Sequence, residues 1–366
     1  MRKSPIRSIL EDRKAVLKER AGVEIVESFG DPVAEYTSVR EAVGLTDFSF
    51  VTRHRLPEDG LDLLEQYAAG SVANIRFGRV LHTMAADEDG MLEADLYVAN
   101  DDENLIMLGE SLTDDAATGA VLDTLGAKDA GLEDISDSTA VFGLDGFNAW
   151  AVAKDLFGAD VLGLPYLSIE NYDLEGAEVK LIRGGKTSEF GYLLIVPADG
   201  AVAAWQAIEK AGEPHGLKLV GQQAHSMLRL DGRFFNIHEE GAKVRDPLPL
   251  GLQWMIDMEG EDFRGREALL SRRSAGLKAK IIGVTTKDAA TPLAEGDEIL
   301  HQGEAVARVV TATHSPTLGK PIGLALFDLP FAYAGIDLEN ATGAAVATIS
   351  MPPFTPKSLS VKLDEM

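Results

Sequence analysis

The chain contains no cysteine. Disulfides, thiolate metal sites and cysteine nucleophiles are thereby excluded together. Local metal-binding patterns are missing too: the seven histidines (His54, His82, His215, His225, His238, His301 and His314) include no H-x-x-x-H or H-E-x-x-H pair, so no metal site is predicted. No run of 18 or more apolar residues occurs, and the opening MRKSPIRSILEDRKAVLKER lacks the apolar centre and small-residue cleavage site of a signal peptide. A cytoplasmic protein is expected. A Gly-rich βαβ fingerprint is also absent, which leaves a doubly wound dinucleotide fold unsupported. Basic residues are scarce: Lys and Arg number 34 against 59 Asp and Glu, a formal net charge of −25. Such a field repels phosphate backbones and anionic lipid, which argues against nucleic acid and membranes as partners.

What remains is an ordinary globular composition, 45% hydrophobic and 25% charged over 366 residues, long enough for two or three domains. Spaced apolar residues predict a helix from Ile9 to Lys18, and Ser38 with Glu41 three residues on predicts a helix start. Leu92-Glu-Ala-Asp-Leu-Tyr-Val and Asn104-Leu-Ile-Met-Leu read as a hairpin whose turn is Asn100-Asp-Asp-Glu-Asn. Strands are expected at Thr139–Leu144, Glu178–Arg183 and Tyr192–Val196, with helices at Gly146–Phe157 and Ala201–Ala211. Beyond Ala279 only short strands separated by turns appear, a compact β-barrel-like pattern.

Four separated segments, in order and spanning nearly the whole chain, resemble signatures of the glycine cleavage T-protein (aminomethyltransferase) family. Gly90-Met-Leu-Glu-Ala-Asp95-Leu-Tyr-Val is similar to G-G-[IV]-[IL]-D-D-L-[IV]-V. Gly185-Lys-Thr-Ser-Glu-Phe-Gly-Tyr-Leu-Leu-Ile-Val-Pro197 is similar to G-Y-T-G-E-D-G-[FV]-E-[IV]-x-[VL]-P. Gly221-Gln-Gln-Ala-His-Ser-Met-Leu-Arg-Leu-Asp231 resembles G-L-x-A-R-D-x-L-R-L-E, followed by Pro249-Leu-Gly-Leu-Gln-Trp254 and Asp262-Phe-Arg-Gly-Arg-Glu-Ala-Leu269. Ser315-Pro-Thr-Leu-Gly319 and Met351-Pro-Pro-Phe-Thr-Pro356 resemble the closing motifs. The resemblance implies an α+β, three-domain clover-leaf fold with a central channel: a discontinuous core of residues 1–50 plus 138–270, an inserted α+β domain at 51–137 carrying Asp95, and a C-terminal β-barrel domain at 277–366.

It also implies an enzyme that moves a one-carbon unit (aminomethyl, methyl or hydroxymethyl) from a small organic substrate to tetrahydrofolate. Asp95 falls on the family's retained carboxylate. On an apolar strand it can sit in a low-dielectric channel and stabilise a cation or relay a proton; the ordinary alternative is a solvent-facing Asp, since alternation sets it opposite Leu92 and Leu96. At the cofactor-contact positions Glu189 is kept, whereas Lys186 stands for Tyr, Leu193 for a Glu that accepts from the pteridine, and His225 for Arg. His225 is expected to act as a general acid or base, its charge changing near neutral pH. Arg233, His238, Arg245 and Trp254 are the candidate substrate contacts, each of which is alternatively a surface, capping or core side chain. Arg229 reads as structural, pairing an acidic neighbour.

The departures mark a divergent paralogue rather than the glycine cleavage enzyme itself, and keep two alternatives open. One is a folate-independent lyase that releases formaldehyde from a hydroxymethyl-bearing substrate, aromatic ones included; the other is a non-catalytic folate or small-ligand binder. The acidic surface further argues against docking an acidic lipoyl carrier protein.

Overall fold

The computed structural model describes residues 1–57, 60–101 and 104–363. Its architecture mixes helix and sheet. Among the described residues, eleven strands form one sheet in the order Leu217–Leu219, Val43–Asp47, Thr139–Gly146, Phe190–Pro197, Ala177–Arg183, Ser168–Leu174, Arg79–Ala86, Leu92–Asn100, Asn104–Ser111, Thr52–Pro57 and Glu133–Asp134. Six strands between Ala279 and Ile349 close into a separate barrel.

Sequence pattern explains most of these elements. The hairpin of Leu92–Asn100 and Asn104–Ser111 is antiparallel as expected, with Asn100 opposite Leu105; the turn residues Asp102 and Glu103 lie outside the described residues. Helices Ala149–Phe157 and Ala201–Gly212 bury their apolar stripes on the sheet, where Phe142 meets the fully buried Trp205 at 5.0 Å between ring centroids. Burial of aliphatic or Phe side chains in this layer contributes roughly 1.5–3 kcal/mol each.

Two local expectations fail. The helix predicted over Ile9–Lys18 runs only from Arg7 to Asp12. Lys14 then adopts φ 59°, and Val16–Arg20 pairs with Val23–Ser28 across a two-residue turn at Ala21 and Gly22, both at positive φ. Such a turn matches strand twist and ends the helical pattern. Nor does Ser38 cap a helix. The helix is Pro32–Glu41, started by Asp31, whose carboxylate accepts from the backbone N–H groups of Val33 and Ala34, with Pro32 in the first position. The Ser38 hydroxyl, inside that helix, donates back to the Glu35 carbonyl.

Candidate active site

Asp95 is 3% exposed. Its strand lies between Arg79–Ala86 and Asn104–Ser111, and both faces of the strand are covered, so its alternation does not separate core from solvent. The hairpin register sets Asp95 directly opposite Glu110. Two like charges facing each other in a ladder repel, and here they are buried. Lys186, from the loop between Ala177–Arg183 and Phe190–Pro197, resolves the conflict: its ammonium donates to Asp95 Oδ2 and, at 3.2 Å, to Glu110 Oε1. His82 Nε2 meets Asp95 Oδ1 at 2.7 Å, and Arg229 Nη2 donates to Glu110 Oε1 at 2.6 Å. The result is an internal chain of alternating charge, Asp95, Lys186, Glu110, Arg229.

Burial pushes the Asp95 carboxyl upward, but Lys186 and His82 outweigh it and hold the group at about 2. For Glu110 burial is likewise overcome, by Arg229, Lys186 and His238, leaving it well below the usual range. Both carboxylates are therefore anionic at neutral pH. Burial lowers His82 despite its carboxylate partner.

A cleft of about 550 Å³, counting its mouth, opens beside this chain. Asp95, Lys186, Glu110 and Arg229 line it together with Phe48, Leu96, Tyr97, Leu108, Val141 and Leu193. That mostly apolar wall suits a small ligand. Asp145 enters it from the strand Thr139–Gly146. This carboxyl has one hydrogen bond among the described residues, from the Thr187 hydroxyl at 3.3 Å. Burial raises it to about 7, against weaker opposition from Thr187 and Arg229.

Of the residues expected from sequence, the cavity brings together Asp95, Lys186, Leu193 and His225. His225 does not behave as expected. Its Nε2 lies 2.7 Å from the Thr46 hydroxyl and its ring packs edge-on against Phe48 at 4.9 Å; burial and then Arg229 lower it to about 3. The imidazole is neutral at physiological pH, so the titration expected of His225 near neutrality is replaced by that of Asp145. His238 is also lowered to about 3, by burial and then Arg20, and sits 3.8 Å from Glu110 Oε2 on the far side of that carboxylate.

The remaining four residues are not cavity-lining. Glu189 accepts from the Ser358 backbone N–H at 3.0 Å and faces Arg40 at 3.5 Å, holding the C-terminal segment. Arg233, in the left-handed region at φ 59°, donates to the Leu250 carbonyl at 3.2 Å. Arg245 donates to the Leu92 carbonyl at 3.0 Å and to Asp87 at 2.9 Å, fastening the start of the Asp95 strand. Trp254 is 62% exposed, with its ring edge-on to His82 at 5.1 Å.

Sequence reasoning missed His82, Glu110 and Asp145. For Glu110 the signal was one residue off: the expected turn Asn100–Asn104 sets residue 109 opposite residue 95, whereas the ladder pairs Asp95 with Glu110.

Comparison with known proteins agrees with this frame. The GCVT N-terminal domain family matches residues 6–260, and the glycine cleavage T-protein C-terminal barrel domain matches residues 280–355. The chain belongs to the glycine cleavage T-protein family. A Bacillus subtilis (strain 168) aminomethyltransferase is 28% identical, the match covering 97% of this chain and 99% of that protein. An aminomethyltransferase of Thermoanaerobacter sp. (strain X514) is 26% identical over 93% of each chain. The crystal structure of glycine cleavage system aminomethyltransferase T from Bartonella henselae superposes with a TM-score of 0.82 at 18% identity, covering 97% of this chain and 98% of that one, a likeness of fold. Family membership makes this chain a one-carbon transferase of the T-protein type. Among the described residues no helix is long and apolar enough to cross a membrane.

Proposed function

We propose that this enzyme takes a one-carbon unit from a small cationic or cation-forming substrate in the Asp95 cavity and passes it to tetrahydrofolate. The observation that carries the reading is the buried Asp95, ionised at neutral pH, at the wall of a mostly apolar cleft. A carboxylate already fixed by His82 and Lys186 needs no reorganisation when positive charge grows at the heteroatom bearing the one-carbon unit, and this preorganisation lowers the barrier. Its oxygens retain acceptor capacity beyond those two bonds. Phe48, Leu96, Leu108 and Leu193 exclude water, which strengthens the interaction.

Tetrahydrofolate, when bound, supplies the nucleophilic nitrogen. The cavity fits such a group: apolar walls for a planar ring, and in Asp145 a carboxyl with a single long hydrogen bond. The acidic surface, with 59 Asp and Glu against 34 Lys and Arg, favours a free small-molecule donor over one carried on an acidic lipoyl protein.

A second reading rests on Lys186. Its ammonium occupies Asp95 from within, which suits a hydroxymethyl-bearing substrate, already at the formaldehyde oxidation level: the bond to the hydroxymethyl carbon breaks, its electron pair stays on the substrate, the hydroxyl proton is lost and formaldehyde leaves without folate. Mass spectrometry of folate species after incubation with N-methyl, O-methyl and hydroxymethyl compounds separates the two. One-carbon tetrahydrofolate should accumulate, and Asp95→Asn should cut the rate by about 100-fold or more. Formaldehyde released equally with and without tetrahydrofolate would reject the transferase version and support the second.

A further inference from the structure

Charge in the buried chain is balanced, Asp95 and Glu110 against Lys186 and Arg229, but one more cation stands beside it. Arg20 ends the strand Val16–Arg20, and its guanidinium lies over the Phe50 ring, 4.9 Å from the centroid. Among the described residues it has no ion pair, and its Nη2 is buried without a hydrogen-bond partner. The carboxylates that act on it are committed elsewhere: Glu110 to Lys186 and Arg229, Glu27 to Lys18 at 2.6 Å, and Glu239 to Lys243 at 3.2 Å. An unmatched charge held away from water is costly, so its place calls for an anion.

That place is built. Arg20 enters the two-residue turn Ala21-Gly22, where Ala21 takes the left-handed φ of 48° that non-glycine residues rarely adopt. Arg2 pins the turn: its backbone N–H donates to the Gly22 carbonyl at 3.0 Å, and its side chain donates to Asp115 at 2.9 Å.

Arg20 lines a recess of about 280 Å³, counting its mouth, together with Phe50, Thr52, Ser111 and His238. The Ser111 hydroxyl is likewise buried without a partner, whereas the Thr52 hydroxyl is spent on the Gly109 carbonyl. Gly109 and Glu110 line both this recess and the Asp95 cleft, so the two meet along the strand Asn104–Ser111. A guanidinium N–H and a hydroxyl, both unfilled, match the two oxygens of a carboxylate. Glu110 and Asp115 also border the recess, and their charge disfavours a dianion such as phosphate.

We infer that Arg20, with Ser111, binds the carboxylate of the one-carbon donor, which is therefore a zwitterion whose cationic end reaches Asp95 past Gly109 and Glu110. The inference rests on the cationic-donor reading above and assigns the donor its second charge.

The test is calorimetric titration of the whole protein, without folate, by trimethylammonio acids with one, two or three methylenes between nitrogen and carboxylate, each beside its carboxamide. The quaternary nitrogen keeps its charge throughout, so the members of a pair differ only in the anion. At least one acid should bind about 30-fold more tightly than its amide, the size of a charge-assisted hydrogen bond made away from water. Arg20→Gln should bring that ratio to about one, and Ser111→Ala should lower it several-fold. Arg20→Gln should also melt no lower than the wild type, because the charge it deletes has no ionic partner to strand; a lower melting temperature with the ratio unchanged makes Arg20 structural and overturns the inference.

Acids and amides that bind alike, no binding by any pair, or an acid preference that survives Arg20→Gln also overturns it. None of these touches the donor reading, which one-carbon tetrahydrofolate formed from other cationic donors would sustain. Conversely, acid selection through Arg20 with no one-carbon tetrahydrofolate from any donor sinks the transferase reading and leaves the anion site standing. Should Arg20→Gln not fold, the wild-type ratio and Ser111→Ala decide.

Discussion

At the scale of single residues, the decisive fact is that identical side chains in one cavity carry different charge. Asp95 and Asp145 are both buried, but only Asp95 has a cation in contact, and the two are held at about 2 and about 7. Environments that push two titratable groups apart are how one site keeps an anion and a proton-carrying acid together. Lys186 is the residue on which this division turns. Replacing it by Met leaves Asp95 and Glu110 opposed across the ladder without their shared cation. Lys186→Met should therefore destabilise the fold by about 3–5 kcal/mol, the usual cost of stranding buried charge. Chemical denaturation checks this, and a variant as stable as wild type would show that the internal cation is dispensable.

At the scale of elements, the local sequence misled where two signals competed. Ser38 and Glu41 have the spacing of a capping box, but Asp31-Pro32 precedes them and starts the helix about two turns earlier. Asp31 accepts from Val33 and Ala34 at 3.1 and 3.0 Å. Asp31→Ala should accordingly cost about 1 kcal/mol in stability, whereas Ser38→Ala, which removes only a back-bond to Glu35, should change it by less than about 0.5 kcal/mol. Equal losses measured by thermal unfolding would contradict this assignment of the cap. The hairpin containing Asp95 was legible from alternation and turn composition, but the turn as read sets residue 109 opposite Asp95, and only the observed register places Glu110 there. The loop that brings Lys186 over that hairpin was not legible, because nothing local encodes where a loop 91 residues away returns.

At the scale of the whole molecule, the barrel is tied to the sheet through a buried polar knot. Asp231, at the end of the helix Gln222–Gly232, accepts from Tyr36 in the helix Pro32–Glu41 and from Ser315 in the barrel, at 3.1 Å for the latter. Asp231→Ala leaves the Ser315 hydroxyl without its acceptor, whereas Tyr36 keeps Thr317 as a partner, and should cost about 1–3 kcal/mol. Because Ile281, Val310, Ile322 and Leu324 of the barrel share one apolar core with Met84, Leu92 and Leu230, differential scanning calorimetry should show the loss as one transition at lower temperature; an unshifted transition would refute the coupling. Glu189 performs related work for the C-terminal segment, through Ser358. That explains why a residue retained in a cofactor motif faces away from the cavity: the motif's turn serves two surfaces, and the sequence does not say which.

The sequence by itself determined the family, the mixed architecture, the barrel and the strand that carries Asp95, because ordered motifs and periodicities are properties of neighbouring residues. It also excluded thiol chemistry, because the chain has no cysteine. Only the tertiary structure decided which of the chosen residues share a cavity and what charge each holds. Burial and the placement of cations arise from segments far apart in the chain, and they set His225 neutral, Asp95 anionic and Asp145 titrating near neutrality.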